Sequence, residues 1–217
     1  METAPLKAFA TSARAELIRE VTARITAVLG PGSPERVESP TTVAGLEKAV
    51  AAGGGGDKGK AHVADKVAYT WFNRFAALRY MELHDYLGHG HRALSSIEGG
   101  LPDILTHAAD LADVTHDAKL PGLSASLVAE MKLAGNRDGE LYRMLLVAQC
   151  NALSIAMPFL FEHIDDETEL LLPDNLLRTA SVVAKLVAAI DEDDWKEVEI
   201  IGWLYQFYIS EKKDEVI

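Results

Sequence analysis

Residues 54–61 read Gly-Gly-Gly-Asp-Lys-Gly-Lys-Ala and satisfy the Gly-four-residues-Gly-Lys part of a phosphate-binding loop. In that loop successive backbone N–H groups cradle phosphates and the lysine reaches the outer ones. The pattern stops short. Ala61 stands where a Mg²⁺-ligating hydroxyl is needed, and the preceding residues, Glu47 to Ala52, read as helix rather than strand. Four glycines in a row, Gly53 to Gly56, carry the largest backbone entropy cost of ordering, so the segment is expected to be a flexible linker.

His84, His89 and His91 fall within eight residues, and neutral imidazoles hold borderline metals such as zinc or nickel. No carboxylate or thiolate stands at a matched spacing, and His89-Gly90-His91 lies in a glycine-rich stretch. Surface histidines are therefore expected, and no metal ligand is assigned. His62, His107, His116 and His163 are scattered and suggest no cluster. Cys150, the single cysteine, excludes an internal disulfide and a paired-cysteine zinc or redox site. It lies in an apolar helical run without an activating partner and reads as a small buried hydrophobe. With no Gly-x-Ser-x-Gly, no His-Glu-x-x-His and no carboxylate pair on one helix face, no catalytic residue is assigned.

The most distinctive stretch is Tyr69-Thr70-Trp71-Phe72-Asn73-Arg74-Phe75-Ala76-Ala77-Leu78-Arg79-Tyr80. Arginines interleaved with aromatics meet phosphates and bases in single-strand binders, which makes Arg74 and Arg79 the candidate nucleic-acid contacts. In the competing reading the aromatics form core while Arg74 and Arg79 snorkel or pair with acids such as Glu82.

The elements that must position these residues are helical. Leu6, Phe9, Ala13, Leu17, Val21, Ile25 and Val28 recur at steps of three and four, predicting a helix over 6–29 that stops at Gly30-Pro31. A loop at 30–42 precedes a short helical run through Leu46 and Val50. The segment 62–86 is apolar on more than one stripe and is expected to be buried on several sides. Residues 88–101 read as an exposed loop, and Pro102 opens a helix to about Val114. Further helices are predicted over 124–134, 138–161 with a kink at Pro158, and 176–189. The last begins near Trp195, where Lys196, Glu199, Gln206, Ser210 and Lys213 align as a helix and scatter as a strand. Neither a repeat nor the strand–helix alternation of a doubly wound sheet is visible. The expected fold class is all-α, an irregular array of seven or eight helices. The chain closes on Val216-Ile217 without a Gly, Asn or Pro stop, so the polypeptide is expected to continue.

Composition bounds the rest. With 217 residues, 48% hydrophobic and 25% charged, the chain is that of an ordinary globular protein. It has no apolar run near the roughly 18 residues a membrane span needs and no export signal, so a cytoplasmic location is expected. The net charge of −12 disfavours a nucleic-acid binder, yet it is uneven: residues 1–92 carry 12 bases and 10 acids, residues 162–217 carry 5 bases and 15 acids. Any phosphate contact belongs to the first half, and the acidic end suits a solvated face or a protein partner.

Several ordered blocks then point to one family: Met1 through Lys7, Val67 through Phe75, Ala148-Gln149-Cys150-Asn151-Ala152-Leu153, Met157-Pro158-Phe159-Leu160-Phe161, Glu169 through Leu177 and Asp194 through Asp214. Together they resemble the amino-terminal region of the adenine-specific DNA methyltransferases of type-one bacteriophage exclusion (BREX) systems. The resemblance implies an enzyme that transfers a methyl group from S-adenosylmethionine to the exocyclic amine of adenine in host DNA, with DNA and other phage-defence subunits as partners. It also implies that the cofactor-binding glycines and the Asn-Pro-Pro-Tyr catalytic motif lie beyond these 217 residues, none of which matches them. The expected organisation is an amino-terminal helical segment at 1–52, a Gly-rich linker at 53–61, and a main helical domain at 62–217 leading into a methyltransferase domain. Such a chain is expected to be silent alone, with no cofactor of its own. The competing expectation is a stand-alone helical interaction protein.

Overall fold

The computed structural model describes residues 3–112, 120, 122–158 and 161–214, with side chains up to residue 210. The described residues form eleven α-helices and one 3-10 turn, and no sheet occurs among them. The count exceeds seven or eight because four helices are single turns: α2 (Glu35–Glu38), α5 (Asp103–Thr106), α6 (Ala108–Leu111) and α9 (Glu167–Leu170).

Helix α1 (Thr3–Val28) buries Leu6, Phe9, Ala13, Leu17, Val21, Ile25 and Val28, the periodic stripe read from the sequence. That stripe packs along α4 (Gly56–Leu83) and α11 (Glu199–Asp214). Helix α4 is the central element, touching α1, α3 (Pro40–Ala52), α10 (Val182–Ala189) and α11. Contact on several sides explains its wide apolar surface: Val67, Trp71, Phe72, Phe75 and Leu78 are all buried. An aromatic chain crosses this packing, with Phe72 6.1 Å from Phe9 and 4.5 Å from Tyr208 between ring centroids. A second group joins α7 (Ala125–Ala134) and α8 (Asp138–Ala156) with α5 and α6.

The glycine-rich stretch is no extended spacer. Gly54, Gly55 and Gly56 take φ of 111°, 70° and 52°, a left-handed turn that links α3 directly to α4. At Gly59 a Cβ would stand 2.0 Å from the Val50 carbonyl oxygen, so the missing side chain lets the two helices touch. Close packing supplies the order that four glycines resist.

Other boundaries also moved. Helix α8 ends at Ala156 rather than kinking through Pro158, because Met157 precedes proline and leaves the helical region with φ −135° and ψ 63°. Phe159 and Val114, to which two predicted helices ran or came close, lie outside the described residues, as does His116. The helix expected over 176–189 starts only at Val182, since Ser181 caps it: its Oγ accepts from Ala184 N–H at 3.1 Å and donates to Leu176 O at 2.8 Å. The helix from Pro102 breaks at His107 into α5 and α6.

Candidate functional site

Arg79 is sealed inside the protein. Its Nη1 donates to Glu82 Oε1 at 2.6 Å and to Ser95 Oγ at 2.9 Å, and its Nη2 to Glu192 Oε1 at 3.3 Å. Glu82 in turn accepts from Leu94 N–H at 2.7 Å and from Ser95 Oγ at 2.9 Å. Glu192 accepts from Arg92 as well, at 2.7 Å, and that guanidinium holds its carboxyl below the ordinary range. The network pins residues 88–101 to α4, so Ala93, Leu94 and His89 are buried where an exposed loop was expected.

Arg74 is buried too, only 4% exposed. Its Nη2 donates to Glu162 O at 2.9 Å, and its guanidinium carbon lies 5.3 Å from the Trp71 ring centroid. Nε and Nη1 have no hydrogen-bond partner, and burial lowers the pKa of the group. Both side chains are thus almost wholly buried, with Arg74 lining a cavity between α4 (Gly56–Leu83) and α11 (Glu199–Asp214). Trp71 Nε1 donates to Thr168 O at 3.1 Å, and Asn151 exchanges two bonds with the Ile164 backbone, at 3.1 and 2.7 Å. Arg74, Asn151 and Trp71 thus hold Glu162, Ile164 and Thr168 on the core.

The described histidines do not converge on one point. His84 Nδ1 bonds the Tyr80 carbonyl at 2.8 Å, and its ring stacks on Tyr80 at 4.1 Å. His89 Nε2 bonds Gln149 Oε1 at 2.5 Å, and its Nδ1 accepts from His91 N–H at 3.2 Å. His91 stacks on His107 at 4.3 Å, a contact that sequence distance concealed. Among the described residues no group of three or more His, Cys, Asp or Glu side chains is arranged to hold a metal. Cys150 is fully buried, and desolvation pushes its thiol up to about 12, the opposite of an activated nucleophile.

What remains open is a face. Between α4 and α11 lies a cavity of about 450 Å³ lined by Tyr69, Asn73, Arg74, Ile201, Gly202 and Tyr205. Beside it α11 turns Trp203 and Tyr205 outward, 40% and 44% exposed, with Trp203 stacked on Phe207 at 5.9 Å. A second, polar cleft of about 650 Å³ lies near α1 and α8. There Asp174 bridges Arg24 at 3.2 Å and Arg143 at 2.6 Å, and Arg24 also binds Glu35 at 3.1 Å. Its charges are largely spent on one another, so it serves as a clasp between helices.

No family model matches the chain. It is 59% identical over 156 residues to the adenine-specific methyltransferase BrxX of Escherichia coli O9:H4 (strain HS), a stretch covering 71% of this chain and 12% of that protein. The resemblance to adenine-specific methyltransferases thus extends over about seven-tenths of the chain. It is also 39% identical over 161 residues to the adenine-specific methyltransferase PglX of Lacticaseibacillus casei (strain Zhang), covering 69% of this chain and 13% of that one. The matched stretch thus spans about an eighth of these methyltransferases. S-adenosylmethionine, the methyl donor of methyltransferases, does not fit the Gly54–Lys60 stretch. The stretch nearest to a cofactor loop joins two helices, and Val50 fills the space in front of Gly59. No helix among the described residues is long and apolar enough to cross a membrane.

Proposed function

We propose that this chain is the amino-terminal helical part of a site-specific adenine DNA methyltransferase that marks host DNA in phage defence. The observation that carries the reading is the 59% identity to a methyltransferase about eight times as long as the matched stretch. Methyl transfer, the S-adenosylmethionine site and extrusion of the target adenine belong to residues beyond these 217. DNA is then met through the whole enzyme, in the cytoplasm, with other phage-defence subunits as further partners.

Within that enzyme the module serves to contact protein rather than to grip phosphates. Its two arginine candidates are buried, its net charge is −12, and the acidic excess lies in its last third. The second reading, a stand-alone helical interaction protein, draws support from the continuous buried core that joins α1, α4, α8 and α11.

Calorimetry with S-adenosylmethionine separates these readings, using this chain beside the same chain extended by the reading frame that follows it. Binding by the extended protein alone is expected. Binding by the 217 residues would overturn the assignment of the chemistry, and a stop codon followed by no methyltransferase frame would favour the stand-alone protein.

A further inference from the structure

The packed arginines Arg14, Arg24, Arg79, Arg92 and Arg143 each hold a carboxylate within 3.3 Å. Arg74 departs from them. Only 4% exposed, it is paired with no carboxylate among the described residues. Its partners are the Glu162 carbonyl and the Trp71 ring, which offer a dipole and a quadrupole but no full negative charge. Glu162 and Asp166 attract it from farther off, yet burial outweighs them and lowers its pKa. A buried guanidinium without a counter-ion is costly, and its Nε and Nη1 add two donors with no acceptor.

Arg74 also lines the 450 Å³ cavity between α4 and α11, a volume within the range of small-ligand pockets, about 300–1,000 Å³. The neutral polar side chains of Tyr69, Thr70 and Asn73 stand in the same lining, and Ile201 and Tyr205 add apolar surface. Tyr69 and Tyr205 brace each other, with ring centroids 5.9 Å apart. Gly202 lines the cavity without a side chain, and a Cβ there would meet nothing within 4 Å. One positive charge among neutral groups matches a monoanion. Glu162, in the same lining, works against a dianion such as a phosphate monoester. A carboxylate is the monoanion whose two oxygens fit the guanidinium fork.

We propose that this cavity binds a small organic carboxylate, its anionic group paired with Arg74 and its apolar portion against Ile201 and Tyr205. Nε and Nη1 are covered as the side chain stands, so pairing turns the guanidinium toward the cavity and shifts it over the Trp71 ring. The proposal holds whether or not a methyltransferase follows the chain.

The test titrates the 217-residue chain with benzoate, with benzamide as its neutral counterpart and inorganic phosphate as the competing anion. The Arg74 Nε–H and Trp71 Nε1–H signals are followed in nitrogen–proton NMR spectra. Benzoate is expected to move both along a saturating curve and to raise the Tm, while the Nε–H signal of the carboxylate-paired Arg79 stays in place. Benzamide and phosphate move none of the three. Gly202→Leu, whose side chain enters open space, abolishes the benzoate response without lowering the Tm. Arg74→Lys keeps the charge but loses the fork, and weakens binding about tenfold, the worth of one charge-assisted hydrogen bond. The proposal is overturned by the absence of a saturating shift at millimolar benzoate, by an equal shift with benzamide, or by a response that survives Gly202→Leu. A response to phosphate alone overturns the carboxylate as ligand.

Discussion

Arg79 Nη1 and Glu82 Oε1 lie 2.6 Å apart, one turn apart on α4, with side chains 1% and 0% exposed. A buried pair of this kind adds little net stability when made, but breaking it strands a charge in the interior. Arg79→Ala is therefore expected to cost about 3–5 kcal/mol in urea unfolding. Arg79→Met combined with Glu82→Gln should cost less than the two single changes summed, because the sites share one network. A loss within about 0.5 kcal/mol for Arg79→Ala would mean that the side chain is at the surface and free to meet phosphate.

Arg74 invites the same question through its salt dependence. In the full-length methyltransferase proposed above, Arg74→Ala is expected to leave the slope of DNA affinity against salt unchanged while lowering stability by about 1–3 kcal/mol, through the lost bond to Glu162 O and the lost packing on Trp71. A slope shallower by about one would instead reveal a direct phosphate contact.

The touch between α3 and α4 depends on one hydrogen atom. Gly59→Ala places a methyl group 2.0 Å from backbone, which the helices can relieve only by separating. A cost of about 1–3 kcal/mol is expected by thermal unfolding. Gly32→Ala, which meets nothing within 4 Å, serves as the control and should shift Tm little. Equal Tm values for the two variants would refute close packing at Gly59.

Three buried acids set the alkaline limit of stability. Desolvation raises Cys150 from its ordinary 9.0 to about 12, and burial also raises Tyr142 and Tyr208. The unfolded chain releases these protons first as pH rises, so it binds fewer protons than the folded protein and folding stability falls. Tm is expected to decline from about pH 9 upward, and Cys150→Ala should make the first part of that decline shallower. A Tm flat from pH 8 to 11 would show that these groups are hydrated in the folded state.

Helical class and the core stripe of α1 were legible because a period of 3.6 residues is written in the order of side chains, as at Leu6, Phe9, Ala13 and Leu17. So was the likeness to adenine-specific methyltransferases, through ordered blocks such as Val67 to Phe75 and Glu169 to Leu177. Cys150 as a buried hydrophobe needed only its apolar neighbours along the helix.

The candidate contacts were less legible, and the reason is physical. An arginine among aromatics suits a nucleic-acid groove and a buried ion pair equally well, and only the approach of Ser95 and Glu192 from distant parts of the chain decides for burial at Arg79. Four glycines are consistent with a slack linker until Val50 is seen against Gly59. The composition of α11 does not say which of its aromatics are covered, and the packing buries Tyr208 while leaving Trp203 40% exposed. Periodicity and block identity are properties of the chain taken in order, so the sequence alone determined the helical class, the long helices and the likeness to adenine-specific methyltransferases. Burial, pairing and exposure are relations between residues far apart in that order, and only the tertiary structure decided them.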